Sequence, residues 1–257
     1  MLHINKRQNK IMQMVEEKSS VSVNDIIPLF DVSAATIRKD LSLLEEASLI
    51  IRTRGEVHFP QKTELTPFES RSNLNRVAKL AIAKAAVELI NDGDTIILDS
   101  GTTTVEIAHL LVNRRNITVL TNSLPVAYAL ENSQVDVSLS GGILLRKNMS
   151  TQGPDAENFF SRVEVNKAFV AASGVRSTLG LTSLSPLEAS VKQCMIRAAK
   201  EVYAVLDSTK FKSCGIIMFT DFNELDYIIT NAPISDPALL ETFEELNLKC
   251  IIEESKK

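Results

Sequence analysis

Cysteine is scarce in this 257-residue chain: Cys194, Cys214 and Cys250 are odd in number, far apart and without metal-ligand spacing. That argues against a disulfide framework or a zinc site and fits a reduced, cytoplasmic compartment. Histidine is as sparse, and His3, His58 and His109 stand apart in the sequence, so no imidazole cluster offers itself. Apolar runs of spanning length are missing and the N-terminus is polar and charged, so neither a membrane segment nor an export signal is expected. A Walker loop, a Gly-x-Gly-x-x-Gly fingerprint and a nucleophile elbow are all absent; no cofactor, no metal and no catalytic residue is assigned. Nor is there an excess of positive charge: the net charge of -4 excludes a polybasic nucleic-acid coat. What remains is an ordinary globular composition, 44% hydrophobic and 23% charged, long enough for a small domain followed by a larger one.

Residues 31–46, Asp-Val-Ser-Ala-Ala-Thr-Ile-Arg-Lys-Asp-Leu-Ser-Leu-Leu-Glu-Glu, read as a turn, a serine cap and an amphipathic helix. Ala34, Ile37, Leu41 and Leu44 recur at the helical period as a narrow buried stripe, while Ala35, Lys39 and Ser42 point outward, flanked by Thr36 and Arg38. Ser33 takes the N-cap. Small residues permit close approach, and an Arg or Lys near a helix start pairs with guanine edges or phosphates. Upstream, Ile4, Ile11, Met14 and Val15 mark a first helix, and Ser22 to Asp25 has capping-box spacing ahead of Ile26, Ile27, Leu29 and Phe30. Only Asp31-Val32 separates this short second helix from the third, the spacing of a helix-turn-helix whose second helix enters the major groove of double-stranded DNA. The following residues 49–59 are β-rich and broken by Gly55, a wing in which Arg52 and Arg54 share a strand face within reach of phosphate or a minor groove. Candidate DNA contacts are therefore Ser33, Ala34, Ala35, Thr36, Arg38, Lys39, Arg52 and Arg54. No aromatic stacking platform accompanies them, which disfavours RNA. The first 58 residues hold eight bases and eight acids, so affinity has to come from where the cations sit and from two modules acting together in a homo-oligomer, a dimer or tetramer.

Residues 59–75 are polar, lack periodicity and read as a linker between a domain spanning 1–58 and another spanning 76–257. In the second domain strand-like and helix-like segments alternate. Strands are expected at Thr95–Asp99, Ile117–Thr121, Val135–Leu139, Ala168–Ala171, Val202–Leu206, Tyr227–Thr230 and Lys249–Ile252. Helices are expected at Val77–Ile90, Thr104–Leu111, Leu124–Leu130, Pro186–Ala199 and Pro237–Asn247. Such alternation predicts an α/β fold with a mainly parallel sheet covered by helices. Ligands of such sheets bind beyond the carboxyl ends of the strands, where this chain places small polar residues: Asp99 to Thr104, Thr121-Asn122-Ser123, Ser140-Gly141-Gly142 with Arg146, and Ala172-Ser173-Gly174. The first of these opens a helix whose free N–H groups favour an anion such as phosphate. Glu188 and Lys192, four apart on one helix, and Asp207 and Lys210 past a strand add charge to the same edge.

Ser22 through Gly55, and above all Val32-Ser33-Ala34-Ala35-Thr36-Ile37-Arg38-Lys39-Asp40-Leu41, resembles the DeoR-type winged helix-turn-helix of bacterial transcription regulators. It departs from that pattern at Gly55-Glu56, where a paired glycine is usual, and at Ser48, where a glycine is usual; Glu56 is acidic beside the expected backbone contact. Asp94 to Thr104, Thr121 to Ser123, Gly141-Gly142, Gly180 to Thr182, Glu188 to Lys192 and Asp207 to Phe211 resemble the same family's effector-sensing domain nearly in order. Thr209 replaces a more common serine, and the loop 212–218 differs in composition. The resemblance implies a winged helix-turn-helix followed by an α/β domain related to sugar-phosphate isomerases such as ribose-5-phosphate isomerase. It also implies a repressor of sugar-metabolism genes controlled by a small phosphorylated sugar or related metabolite. The expected effector site comprises Asp99, Ser100, Gly101, Thr102, Thr103, Thr104, Asn122, Ser123, Gly141, Gly142, Arg146, Gly174, Glu188, Lys192, Asp207 and Lys210. The rival expectation is an active isomerase-like enzyme fused to a DNA-binding module, with Glu188 or Asp207 moving a proton.

Overall fold

The computed structural model describes residues 6–18, 20–46, 50–53, 55–58 and 67–254. Ile4, Ser48 and Arg54, named above, lie outside them. The chain forms two compact units, Met1–Glu64 and Leu65–Lys257.

In the first unit the elements run α1 (Lys6–Lys18), β1 (Ser20–Ser22), α2 (Val23–Ile26), α3 (Ala34–Glu46), β2 (Ile51–Thr53) and β3 (Glu56–His58). Ser22 caps α2 by accepting from the Asn24 amide at 3.2 Å, and α2 gives way after one turn to a 3-10 turn, Ile27–Leu29. Pro28 has no amide hydrogen to continue the α-helical ladder. Ile37, Leu41 and Leu44 of α3 are buried with Ile11, Val15, Ile26 and Val57 in one small core. Gly55 sits at φ +87 in the turn of the β2–β3 hairpin, a backbone region that favours glycine. The wing is three-stranded, ordered β1-β3-β2. β1, three residues long, pairs with a segment far along the chain, and nothing in its local sequence announces it.

The second unit continues with α4 (Phe68–Asn73), α5 (Arg76–Glu88), β4 (Thr95–Leu98), α6 (Thr102–Leu111), β5 (Thr118–Thr121), α7 (Leu124–Ala129), β6 (Asp136–Leu139), β7 (Ile143–Leu145), β8 (Ser150–Gln152) and α8 (Pro154–Ser161). Then follow β9 (Val165–Val170), β10 (Gly174–Arg176), β11 (Gly180–Ser183), α9 (Pro186–Arg197), β12 (Ala199–Val205), β13 (Ile217–Asp221), β14 (Tyr227–Thr230), α10 (Pro237–Glu245) and β15 (Lys249–Ile252). Seven of the strands make one parallel sheet, ordered β15-β14-β12-β9-β4-β5-β6. Alternate residues of each strand enter opposite cores, as the two-residue period of a strand requires. Ile96, Leu98, Val119, Phe169 and Tyr203 join residues of α5, α6 and α7 in one core. Ile97, Leu120, Ala168, Val170, Val202 and Ala204 join residues of α8, α9 and α10 in the other. The result is a sheet sandwiched between two helical layers. From β4 the strand order runs outward through β5 and β6 on one side and through β9, β12, β14 and β15 on the other, so it reverses between β4 and β9. The crevice at such a reversal is where open α/β sheets bind ligands.

Three features depart from the sequence expectations. The span read as linker contains α4, a helix of the second unit; with six residues it is too short to display an apolar period. Two antiparallel additions, the β7–β8 hairpin and the β10-β11-β13 sheet, are built from short strands. And α6 starts at Thr102, two residues earlier than expected, which puts Thr102 and Thr103 into its first turn. Among the described residues no helix is long and apolar enough to cross a membrane.

Candidate functional site

In the first unit, Ser33 anchors the start of α3: its Oγ accepts from the Thr36 amide at 3.2 Å and lies 2.8 Å from the Thr36 hydroxyl. This cap leaves Thr36 and Ala34 half-buried while Ala35, Arg38 and Lys39 stand exposed on the outer face. Among the described residues neither Arg38 nor Lys39 enters an ion pair or a side-chain hydrogen bond with the rest of the unit, so both cations are available for phosphate or base edges. Asp40, one position on, points inward, where Arg7 Nε at 2.5 Å and Gln8 Nε2 at 2.9 Å bind it and fasten α1 to α3. Arg52 has partners within the unit. Its guanidinium turns back onto α3, 3.2 Å from Ser42 Oγ and 3.6 Å from Glu45 Oε2, where it braces the helix.

In the second unit the residues that follow the sheet strands converge at the reversal point. Asp99, fully buried after β4, accepts from the Gly101 amide at 2.8 Å, the Ala171 amide at 2.9 Å and the Lys192 ammonium. It thereby ties the ends of β4 and β9 to α9. Lys192 also donates to the Ala171 carbonyl at 2.9 Å. This pair is spent on internal contacts, and it builds the floor of the site. Gly101 is required there, because a Cβ would lie 2.5 Å from that of Ala171. Thr104 Oγ1 lies 2.7 Å from the Gly101 carbonyl, and no side chain caps the start of α6, so its first amides keep their hydrogen-bonding capacity. Thr102, Thr103 and Ser100 are buried around that helix start.

Asn148, fully buried in the turn between β7 and β8, donates to Ser100 Oγ at 3.4 Å and to Glu188 Oε1 at 3.2 Å. Glu188 also accepts from Ser183 Oγ at 2.7 Å. Asp207 caps the 3-10 turn Ser208–Lys212, accepting from the Thr209 amide at 3.1 Å, and receives Asn75 Nδ2 at 3.3 Å. Asn75 occupies the left-handed region at φ +52, at the junction of α4 and α5. Ser123 caps α7 through the Val126 amide. Asn122 donates to the Thr151 carbonyl at 2.9 Å.

Sequence reasoning missed the main cations of this site. Arg71, on α4 inside the presumed linker, donates to Asn148 Oδ1, and Glu188 and Asp99 stabilise its charge against the cost of burial. Lys79 of α5 is buried and donates to the Arg71 carbonyl. Its pKa is pushed down to about 8, first by burial and then by Lys210 and Arg71, with Asp207 opposing. Burial and Arg71 likewise lower Lys210, again against Asp207. Arg71, Lys79 and Lys210 are thus close enough to repel one another. The only sequence signal for the first two was an isolated basic residue in a polar stretch and a lysine on an otherwise Ala-rich helix.

Four expected residues stand apart from this cluster. Arg146 is exposed and its side chain makes no hydrogen bond or ion pair among the described residues, and Gly141 has open space where a Cβ would be. Gly142, at φ +122, and Gly174 serve backbone approach: a Cβ at either would meet a carbonyl oxygen, of Gln152 at 2.5 Å and of Ser213 at 2.0 Å. Among the described residues no group of three or more His, Cys, Asp or Glu could hold a metal ion.

Comparison with known proteins assigns both units. The family model of the DeoR-like helix-turn-helix domain matches residues 7–63, and that of the DeoR C terminal sensor domain matches residues 74–232. The HTH-type transcriptional regulator IolR of Bacillus subtilis is 34% identical over 90% of this chain and 92% of its own length. The transcriptional repressor AccR of Agrobacterium fabrum is 33% identical over 96% of each chain, and the glycerol-3-phosphate regulon repressor of Escherichia coli is 30% identical over 88% of this chain and 90% of its own. A solved ribose 5-phosphate isomerase A from Methanocaldococcus jannaschii aligns at 22% identity and a TM-score of 0.40 over 53% of this chain and 55% of that one, a likeness too distant to bear on activity. The free cations on α3, the sensor fold and full-length relatives agree: the chain belongs to the DeoR family of helix-turn-helix, DNA-binding transcriptional regulators.

Proposed function

We propose that the second unit binds a small phosphorylated sugar and that its occupancy controls the grip of α3 on an operator, the protein acting in the cytoplasm as a repressor of sugar-metabolism genes. The observation that carries this reading is the cluster of half-buried Arg71 and Lys210 with buried Lys79, whose mutual repulsion a phosphate dianion would relieve. The uncapped start of α6, with Ser100, Thr102 and Thr103 around it, adds amides and hydroxyls of the kind that hold phosphate. One relative bears the name of a glycerol-3-phosphate regulon repressor, which fits a phosphate ester as effector.

Sensing without turnover is the reading favoured over an isomerase. Each carboxylate of the site is already engaged: Asp99 by Lys192, Glu188 by Ser183 and Asn148, Asp207 by Asn75 and its own helix cap. Incubation of the protein with aldose and ketose phosphates is expected to give no interconversion. Turnover abolished by both Glu188→Ala and Asp207→Ala would overturn the sensor reading. As the first 58 residues are charge-neutral, binding by two copies in a homo-oligomer supplies the affinity that one unit lacks.

The deciding experiment is thermal unfolding in the presence of a panel of sugar phosphates. A true effector at one hundred times its Kd stabilises the native state by about 2.7 kcal/mol. A panel with no stabilising member, inorganic phosphate included, would refute the proposed site.

A further inference from the structure

We propose that Gln152, with Ser150 and Asn122, forms a wall that reads adjacent hydroxyls on the carbon chain of the effector, at the end remote from its phosphate. This rests on the effector reading above and goes beyond it in naming what selects one phosphate ester from another. Among the described residues five buried side-chain polar atoms have no hydrogen-bond partner: Asn122 Oδ1, Ser150 Oγ, both amide atoms of Gln152, and Thr230 Oγ1. Thr230 stands alone at the end of β14. The other four belong to one patch. Thr151 donates its amide to the Asn122 carbonyl at 2.8 Å, Asn122 Nδ2 returns a bond to the Thr151 carbonyl at 2.9 Å, and Ser123 bridges to Ser150.

Burial without a partner is costly, so native proteins leave few such groups. Gln152 is 1% exposed with both ends of its amide unpaired. The patch borders the site. Ser150 and Gln152 lie on one face of β8, opposite Thr151, whose hydroxyl is taken up by Ser140 at 2.9 Å. β8 packs against α9, the helix of Glu188 and Lys192, and Asn148, just before β8, bonds Glu188 and Ser100. Asn122 follows β5 at the sheet edge where Ser100 follows β4.

The chemistry of the wall selects its ligand. A carboxylate, which only accepts, would leave the two carbonyl oxygens unpaired, and an alkyl chain would pair with none of these groups. An amide that offers two donors and an acceptor matches a pair of neighbouring hydroxyls, each both donor and acceptor.

The test compares the full-length protein with Gln152→Met by thermal unfolding without ligand and by calorimetry. The probes are inorganic phosphate, glycerol 3-phosphate, a series of pentose and hexose phosphates, and the same sugars unphosphorylated. In the variant the unliganded Tm is expected at or above that of the wild type, since methionine leaves no orphaned amide. Affinity for the tightest sugar phosphate is expected to fall about tenfold, the equivalent of about 1.4 kcal/mol, while affinity for inorganic phosphate moves less than about threefold. A lower unliganded Tm with sugar-phosphate affinity intact would make Gln152 a structural amide and overturn the proposal. If Tm and affinity both fall, Ser150→Ala decides, since it deletes a single oxygen: weakened sugar-phosphate binding upholds the wall and unchanged binding overturns it. Should the wild type prefer unphosphorylated sugars, and Gln152→Met lose that preference, the phosphate reading falls while the wall stands. Wild-type protein that binds inorganic phosphate as tightly as any ester has no such wall, although its phosphate site survives.

Discussion

Lys79 and Lys210 stand close enough to Arg71 for its charge to lower their pKa values, while Asp207 offsets part of that; a phosphate bound beside them would offset more. Lys79 makes the consequence measurable. Its pKa falls from 10.5 to about 8 in the folded protein, so between those values the unfolded chain holds more protons, and this residue's contribution to stability rises with pH through that window. A phosphate bound beside Lys79 would reverse the shift. Binding near pH 8 should therefore draw a proton from solution, and phosphate-ester affinity should decline as pH climbs past about 8. Calorimetry in two buffers of different ionisation enthalpy checks the uptake, and a buffer-independent heat would show that Lys79 does not sense the ligand. Arg71 is the second test. Arg71→Gln retains a donor for Asn148 but removes the charge, and a charge-assisted bond of about 1.5–3 kcal/mol corresponds to roughly ten- to a hundredfold weaker phosphate-ester binding, read by the loss of thermal shift. An unaltered shift would place the phosphate elsewhere.

Elements differ in how far the sequence reveals them, and the difference is physical. In α3 a single stripe of Ala34, Ile37, Leu41 and Leu44, a serine cap and an outer face of small and basic residues all state the same structure, so the helix and its exposed Arg38 and Lys39 are legible from local pattern alone. The parallel strands are legible for a similar reason: buried on both faces, they appear as short apolar runs between helical periods. α4 is opaque because FESRSN offers no apolar face; its place comes from Arg71 reaching Asn148 and from the Phe68 amide bonding the Lys147 carbonyl, contacts across some eighty residues of chain. Asp99 and Lys192 were visible as site residues, but their mutual pairing was not, and with it went the knowledge that they build the floor. On α3 the consequence is direct. Because Arg52 is occupied with Ser42 and Glu45, Arg38 and Lys39 are expected to carry more of the phosphate contact. Replacing Lys39 with Ala should weaken operator binding and flatten the slope of log K against log salt by roughly 0.9, the amount due to one phosphate. Arg38→Ala should act similarly or relax base preference. Unchanged binding in both variants at moderate salt would remove α3 from the groove. Packing of the same helix is testable apart from DNA: Leu41, fully buried, should cost about 2–5 kcal/mol of the first unit's stability when cut to Ala.

At the scale of the whole molecule, a regulator needs its ligand to favour one arrangement over another, and a ligand with equal affinity for both changes nothing. The chain offers a route for that preference. Arg71, a cation of the site, rides on α4, the first helix of the second unit, and Asn75 and Lys79 fasten the same segment to Asp207 and to the Arg71 carbonyl. A phosphate that engaged Arg71 would therefore act on α4, the first helix of the second unit. Linkage then sets a strict condition. If an effector changes operator affinity by some factor, typically about 5- to 150-fold, the operator must change effector affinity by the same factor. Fluorescence anisotropy of labelled operator with and without the stabilising sugar phosphate gives one ratio, and calorimetric titration of the sugar phosphate with and without operator gives the other. Lys210→Ala should leave operator binding intact while abolishing both ratios, because it removes charge from the sensor without touching α3. Loss of operator binding in that variant would signal damaged folding, which its thermal unfolding would expose. A sugar phosphate that stabilises the protein yet leaves both ratios at unity would separate binding from control, and the second unit would then hold a ligand without being a switch.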